Sequence, residues 1–131
     1  MVQVIKIAST LQSVYEVEHF LNAVFKDLGF SRKIYCKIYL AVTEAVNNAI
    51  IHGNGKDKSK SVLISFHDYN DYFIVQIEDE GKGFDYAVVP DPRDPKNIRK
   101  ESGRGIFIMK QYADKVNFEN EGSMVQLTFN K

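Results

Sequence analysis

The fold is decided by Thr43-Glu44-Ala45-Val46-Asn47-Asn48-Ala49-Ile50-Ile51-His52-Gly53. Apolar residues recur with helical spacing through and before this stretch, which predicts the second half of a helix ending at Gly53. They are Ile34, Ile38, Ala41, Val42, Ala45, Val46, Ala49 and Ile50. Glu44, Asn48 and His52 lie four residues apart and so form one polar stripe away from the apolar face. The stripe fits either a solvated helix face with a glycine stop or part of a binding site.

The chain before this helix reads as one strand and one further helix. Val2 to Ala8 alternates apolar and polar residues among β-branched neighbours, which predicts a strand. Ser9-Thr10 is a plausible cap for the amphipathic helix that follows, and that helix is predicted to stop near Gly29. Ser31 is predicted to cap the second helix.

The chain after Gly53 reads as a loop followed by a hairpin. Asn54 to Lys60 is polar, charged and contains glycine, so it is predicted to be a loop. Ser61 to Tyr69 and Tyr72 to Glu78 are rich in β-forming residues, and Asn70-Asp71 between them favours a tight turn. These two runs therefore predict an antiparallel pair.

The remainder holds an irregular segment, a third helix and a closing hairpin. Residues 86–102 lack apolar periodicity and contain all three prolines, as a functional or disordered loop would. A third helix is predicted to begin at Ile106, and Val116 to Glu119 is predicted to pair with Met124 to Phe129. This order predicts one α+β domain over residues 1–131, a two-layer sandwich of a mixed, mostly antiparallel sheet with helices on one face.

Composition narrows the class of protein. The chain has 131 residues, enough for one domain with a core. Lys+Arg and Asp+Glu are 17 each, which argues against direct nucleic-acid binding through broad phosphate attraction. Cys36 is the one cysteine, so it has no partner for an internal disulfide, and it is expected to fill the core. No apolar run of about 18 residues and no signal-peptide pattern occur, so we expect a cytoplasmic protein that does not enter a membrane.

Two glycine boxes flank the irregular segment. Asp79-Glu80-Gly81-Lys82-Gly83 follows a strand directly, and its glycines suit a turn or close approach to a ligand. Gly103-Arg104-Gly105 opens a helix, whose free N–H groups favour anions such as phosphate. The spacing matches neither a P-loop nor a dinucleotide fingerprint. The two boxes together predict a lid, at about residues 85–103, over a phosphate-binding helix end.

These motifs together resemble the GHKL ATPases, the superfamily of gyrase, Hsp90, the histidine kinases and MutL. The stretch from Glu44 to Gly53 is similar to their N box. Asp79 to Phe84 is similar to their first glycine box, and Ser102 to Lys110 to their second. Gly122-Ser123 matches their short Gly-Thr element, with serine in place of threonine. The order of the boxes fits across essentially the whole chain.

The resemblance implies a role for each of these residues. Asn48 is implied to ligate Mg²⁺, Glu44 to act as the general base, and Asp79 to accept a hydrogen bond from the adenine amino group of ATP. His52 is expected to be structural rather than catalytic. The other nucleotide-binding residues that the resemblance implies are Asn47 on the pocket floor, Gly81, Gly83 and Phe84 beside base and ribose, Gly103, Arg104 and Gly105 over the phosphates, and Ser123.

Within the superfamily, the small size and the second box resemble the anti-sigma-factor serine kinases of the RsbW and SpoIIAB type. That implies a serine/threonine kinase that phosphorylates a STAS-domain anti-sigma-factor antagonist, binds a sigma factor or similar client, and forms a homodimer. Glu101 departs from the pattern, because such proteins place an arginine there. Two other readings stay open: an ATP/ADP-responsive binding module without kinase activity, and a structural domain whose glycines only make turns.

Overall fold

The computed structural model describes residues 2–81 and 101–131, with side chains from Arg104 onward in the second range. The described elements pack as a helical layer against one face of a sheet. In chain order they are β1 (Val2–Ala8), α1 (Ser13–Leu28), α2 (Arg32–Asn48), a π-helical turn (Ala49–Gly53), β2 (Ser61–Asp68), β3 (Tyr72–Glu78), α3 (Glu101–Tyr112), β4 (Lys115–Glu119), a 3-10 turn (Asn120–Gly122) and β5 (Met124–Asn130).

The five strands form one sheet in the order β1-β2-β3-β5-β4. Each of the four described pairings is antiparallel, which confirms the α+β sandwich with a mostly antiparallel sheet. In the register, Ile5 pairs with Ile64, Ile64 with Ile77, and Ile77 with Val125, so one apolar row, buried except at the partly buried Ile5, crosses four strands. Side chains alternate between faces, and the face carrying this row lies under the helices.

Helix α2 lies at the centre of the core, in contact with α1, α3, β3 and β5. Its inward side chains are buried, and several are alanines, which lets the helix approach the sheet closely. At one end of the sheet, Phe73 packs against Phe25, Phe30 and Phe66, with ring centroids 6.1, 5.5 and 6.0 Å away. Such aromatic pairs bury much apolar surface.

Several helix boundaries match the sequence pattern. Helix α1 ends at Gly29 in a left-handed conformation (φ 66°), where glycine carries no steric penalty. The amide of Ile34 donates to the Ser31 hydroxyl (3.3 Å), so Ser31 caps α2 as predicted.

Three expectations from the sequence are corrected. Helix α1 begins at Ser13 rather than after Ser9-Thr10, and the Thr10 hydroxyl instead bonds that of Ser13 (3.0 Å). Cys36 is exposed on α2 and fills no core position. Helix α3 begins at Glu101, five residues before Ile106, so the second glycine box lies inside its first turns.

The predicted lid lies mostly outside the described residues, and so do Gly83 and Phe84 of the first glycine box. None of the helices within residues 2–81 and 101–131 has the length and hydropathy needed to cross a bilayer.

Candidate functional site

The site is built around the end of α2. After Asn48 the helix continues for one π-helical turn, Ala49–Gly53, in which the N–H of Asn54 donates to the carbonyl of Ala49 (2.8 Å). Single π turns are frequent at functional sites. Here the turn directly follows Asn48 and includes His52, so the polar stripe continues from α2 into the π turn. The stripe borders two cavities, and of its three residues His52 is exposed while Glu44 and Asn48 are partly buried.

The first cavity, which we call the Asp79 cavity, is mainly apolar with a few polar groups. It lies between α2, the end of β3, α3 and the β4–β5 turn. Such a surface suits a flat aromatic ligand held by one or two directed hydrogen bonds. It is lined by Ala45, Asn48, Ala49, His52, Gly53, Ile77, Asp79, Met109, Phe118, Gly122, Ser123 and Val125.

Backbone contacts hold Asp79 at this cavity. Its N–H donates to the carbonyl of Ser123 (2.9 Å), and its Oδ1 accepts from the N–H of Gly81 (2.8 Å). A Cβ atom on Gly53 would overlap the Asp79 carboxylate, and one on Gly81 would overlap the Gly53 carbonyl. Burial raises the pKa of the Asp79 carboxyl above its ordinary value of 3.8, although the bond from Gly81 opposes this. Because neither glycine has a side chain, the Asp79 carboxylate can lie against Gly53, and the backbone at Gly81 can lie against the Gly53 carbonyl.

The second cavity, the Glu44 cavity, is more polar. Its walls include Glu44, Asn47, Asn48, His52 and Arg104, together with the apolar side chains of Leu11 and Ile51. Asn48 and His52 border both cavities, so the two are adjacent along α2. The Glu44 cavity therefore joins a carboxylate, two amides and a guanidinium beside the Asp79 cavity.

Helix α3 brings the second glycine box onto this cavity. A Cβ atom on Gly105 would lie 3.3 Å from Oε2 of Glu44 and 3.7 Å from Oδ1 of Asn48, so the helix backbone passes close to both. Burial raises the pKa of Glu44 above its ordinary value of 4.5, against the opposing charge of Arg104. A carboxylate with a raised pKa is a better proton acceptor near neutral pH than an exposed one.

The structure places most of the residues predicted from sequence around these two cavities. Glu44, Asn47, Asn48 and Arg104 border the Glu44 cavity, and Asp79 and Ser123 border the other. Further residues meet them through the backbone. Gly105 faces Glu44, Gly81 contacts the Gly53 carbonyl, and Gly103 lies in the first turn of α3.

Two site residues were missed as such. Gly53 was predicted only to end the helix, yet its missing side chain makes room for the Asp79 carboxylate. Asn54 was assigned to a polar loop, but it is buried and its side chain bonds the N–H of Glu80 (2.7 Å). Gly53 could have been recognised, because it lies at the end of the helix motif quoted first. Asn54 could not, because a single asparagine in a polar loop carries no signal of a site.

These groups fit an adenine nucleotide with its metal. An apolar slot with one carboxylate at its end suits a purine that offers an amino group. The first turn of a helix presents N–H groups without intrahelical acceptors, which suits phosphates. The amide oxygen of Asn48, close to that helix, is a hard ligand of the kind Mg²⁺ takes alongside phosphate oxygens and water.

Comparison with known proteins identifies the family of the chain. Residues 7–129 match the family model described as "Histidine kinase-like ATPase domain". The chain is 29% identical over 115 residues to a protein named "Serine-protein kinase RsbW" from Oceanobacillus iheyensis, covering 82% of this chain and 73% of that protein. It is 39% identical over 98 residues to the "Anti-sigma F factor" of Anoxybacillus flavithermus, covering 70% and 66%.

A solved structure shares the fold. It contains the RsbU and RsbW domains of Rv1364c from Mycobacterium tuberculosis and superposes with a TM-score of 0.69 at 14% identity, over 99% of this chain and 31% of the other. At that identity the likeness concerns the fold alone. The family match spans nearly all of the sequence. The chain belongs to the histidine kinase-like ATPase domain family.

Proposed function

We propose that this chain is an anti-sigma factor and serine/threonine protein kinase that uses Mg-ATP to phosphorylate a STAS-domain antagonist and sequesters a sigma factor or similar client. The observation that carries the proposal is the meeting of Glu44, Asn48 and the Gly105 backbone at one cavity, beside the cavity that ends in Asp79. The relatives named RsbW and anti-sigma F factor support the same activity.

Adenine binds in the Asp79 cavity. Its 6-amino group donates to the Asp79 carboxylate, which is held in place by the N–H of Gly81. Guanine offers a carbonyl oxygen at the same position, and two acceptors facing each other in a buried site repel. This contact therefore selects ATP over GTP.

The triphosphate extends into the Glu44 cavity. Arg104 and the first turn of α3 supply positive charge and N–H donors for the phosphates, with Gly103 and Gly105 allowing close approach. Asn48 would hold Mg²⁺ through its amide oxygen. Bound Mg²⁺ neutralises charge on the phosphate oxygens.

Glu44 acts as the general base. It accepts the proton of the acceptor hydroxyl while that oxygen bonds to the γ-phosphorus, and the bond from this phosphorus to the β–γ bridging oxygen breaks to release ADP. Burial favours this role, because it raises the pKa of the carboxylate toward the working pH. The positive charge of Arg104 acts in the opposite direction on the pKa of Glu44 and favours the ionised carboxylate.

The partners follow from the family resemblance rather than from a surface on this chain. The phosphoacceptor is a serine or threonine of a STAS-domain antagonist, and the client is a sigma factor or a similar protein. The kinase works in the cytoplasm as a homodimer. Light scattering of the purified protein measures the dimer directly.

The test uses a Glu44→Gln variant, which keeps the size of the side chain and removes the base. Calorimetry should show that wild type and variant bind Mg-ATP with similar affinity. Transfer of γ-phosphate to a STAS-domain protein encoded in the same genome should fall at least about 100-fold in the variant, since general bases contribute on that order.

Glu119→Gln is the matched control. Glu119 is exposed on the sheet face away from the helices, so its variant should transfer phosphate at the wild-type rate. Phosphate transfer by Glu44→Gln at the wild-type rate would show that Glu44 is not the general base. Nucleotide binding and partner exchange without any transfer by wild type would instead identify an ATP-responsive binding module.

A further inference from the structure

Asn54 is a buried polar residue with every polar atom of its side chain bonded. It is 3% exposed and follows the π-helical turn directly. Its Nδ2 donates to Oγ of Ser9 (2.7 Å) and to the carbonyl of Ser61 (2.9 Å), and its Oδ1 accepts from the N–H of Glu80 (2.7 Å). One side chain thus joins the ends of β1 and α2 to the start of β2 and to the turn after β3.

The hydrogen bond that Asn54 accepts from the N–H of Glu80 is relevant to nucleobase recognition. Glu80 directly follows Asp79, the residue proposed to bind adenine. Four hydrogen bonds hold this turn, and in one of them the N–H of Ser61 donates to Oε2 of Glu80. Asn54 holds the N–H of Glu80, the carbonyl of Ser123 holds the N–H of Asp79, and the N–H of Gly81 binds the Asp79 carboxylate. Gly53, the neighbour of Asn54, lies against that carboxylate. Asn54 therefore ties the end of the π-helical turn to the backbone of the Asp79 turn.

We propose that Asn54 is a positioning residue for base recognition. It holds the Asp79 carboxylate where that group can accept a hydrogen bond from the purine amino group. This inference rests on the proposed function. Hydrogen bonds weaken steeply when donor and acceptor move out of line, so a small shift of the turn is enough to lose selectivity. Asn54 touches no ligand itself and acts through Asp79.

A residue that only stabilises the fold would behave differently. Its loss would lower the melting temperature and weaken all nucleotides by a similar factor. A positioning residue affects the ligand that carries the amino group more than the ligand that lacks it. The informative quantity is therefore the ratio of affinities for ATP and for purine riboside triphosphate, which lacks the 6-amino group.

The experiment measures this ratio by calorimetry in the full chain. Asn54→Ala should reduce the preference for ATP at least about 10-fold in the folded protein, on the scale of one hydrogen bond to a charged group. Ser9→Ala is the matched control, because it removes a partner of Asn54 and leaves the bond to Glu80. It should lower the melting temperature and keep the wild-type ratio.

Two further variants guard against misfolding. Asn54→Asp keeps an acceptor for Glu80 and loses the amide donors, so it should keep the ratio despite lower stability. In an Asp79→Ala background, Asn54→Ala should change ATP affinity by less than about twofold, because coupled residues do not add. The inference is wrong if Asn54→Ala leaves the preference for ATP over purine riboside triphosphate unchanged, or if Asn54→Asp loses that preference. It is also wrong if the effects of Asn54→Ala and Asp79→Ala on ATP affinity are fully additive. Absence of ATP binding by wild type would overturn the proposed function instead.

Discussion

The carboxylate of Asp79 lies against the α-carbon of Gly53, so closely that no Cβ atom fits between them. Gly53 ends the π-helical turn after the helix that carries Glu44, and Asp79 directly follows β3 as the first residue of the first glycine box. Residue 53 therefore links the two motifs physically. A glycine that looked like a helix stop in the sequence is part of the wall of the Asp79 cavity.

Gly53→Ala should weaken ATP binding at least about 10-fold, because the added methyl group must displace a carboxylate or the helix end, and a misaligned hydrogen bond loses most of its energy. Calorimetry with Mg-ATP measures the change. The variant should fold, because the overlap involves a side chain at a cavity.

Gly55→Ala is the control for this variant. Gly55 has φ 61°, where alanine is strained, but a Cβ atom there would meet no other atom within 4 Å. The control should therefore lose about 1 kcal/mol of stability and bind ATP normally. Equal affinities for Gly53→Ala and wild type would show that Asp79 does not need its present position.

Gly105→Ala should separate stability from catalysis. Alanine is favoured over glycine in a helix by about 1 kcal/mol, so the free energy of unfolding should hold or rise. The new methyl group would stand 3.3 Å from Oε2 of Glu44, which must shift by a few tenths of an ångström. Phosphate transfer should fall roughly 10-fold, since misplacing a reacting group by 1 Å can cost 100-fold. Phosphate transfer by Gly105→Ala at the wild-type rate would show that the reaction does not depend on the present position of Glu44.

Asp79→Asn should make the nucleotide-free protein more stable at pH 7. Burial raises the pKa of Asp79 in the folded state, so its stabilising contribution is present below the unfolded pKa and is lost as pH rises through the folded pKa. Asparagine carries no such penalty at neutral pH. Denaturant titrations should show an advantage for the variant that shrinks as the pH falls toward 4. An advantage independent of pH would contradict this account.

Phe73→Ala should cost about 3–5 kcal/mol of unfolding free energy, the usual range for a buried aromatic residue. Phe73 is 1% exposed and contacts three other rings. Tyr72→Ala is the control, because Tyr72 precedes it on β3 and points to the exposed face. That variant should lose at most about 1 kcal/mol. Thermal unfolding of both variants measures these losses, and equal losses would contradict the prediction.

The sequence predicted best the features that depend on neighbouring residues. Ser31 and Gly29 mark helix ends because capping and left-handed φ are local effects. The strands of both hairpins were recognisable because their apolar residues alternate. The polar stripe from Glu44 to His52 was also visible, and it borders the cavities.

Features that depend on distant contacts were misjudged or missed. Helix α3 extends back to Glu101 through two glycines, which low helix propensity argues against and which packing of α3 on α2 overrides. Ser9-Thr10 was expected to cap a helix, but the Ser9 hydroxyl donates to the carbonyl of Lys60, 51 positions away. Asn54 could not be recognised as a site residue, because its partners lie 45, 7 and 26 positions away in the chain.

Those same separations bear on how the protein folds. The Asn54 bonds cannot form until β1, the start of β2 and the end of β3 have come together, so the Asp79 turn is completed in the same cooperative step as the sheet. A ligand that binds only this completed site stabilises the whole domain by mass action. We therefore expect bound ATP to protect the whole domain, and not only its site, against proteolysis.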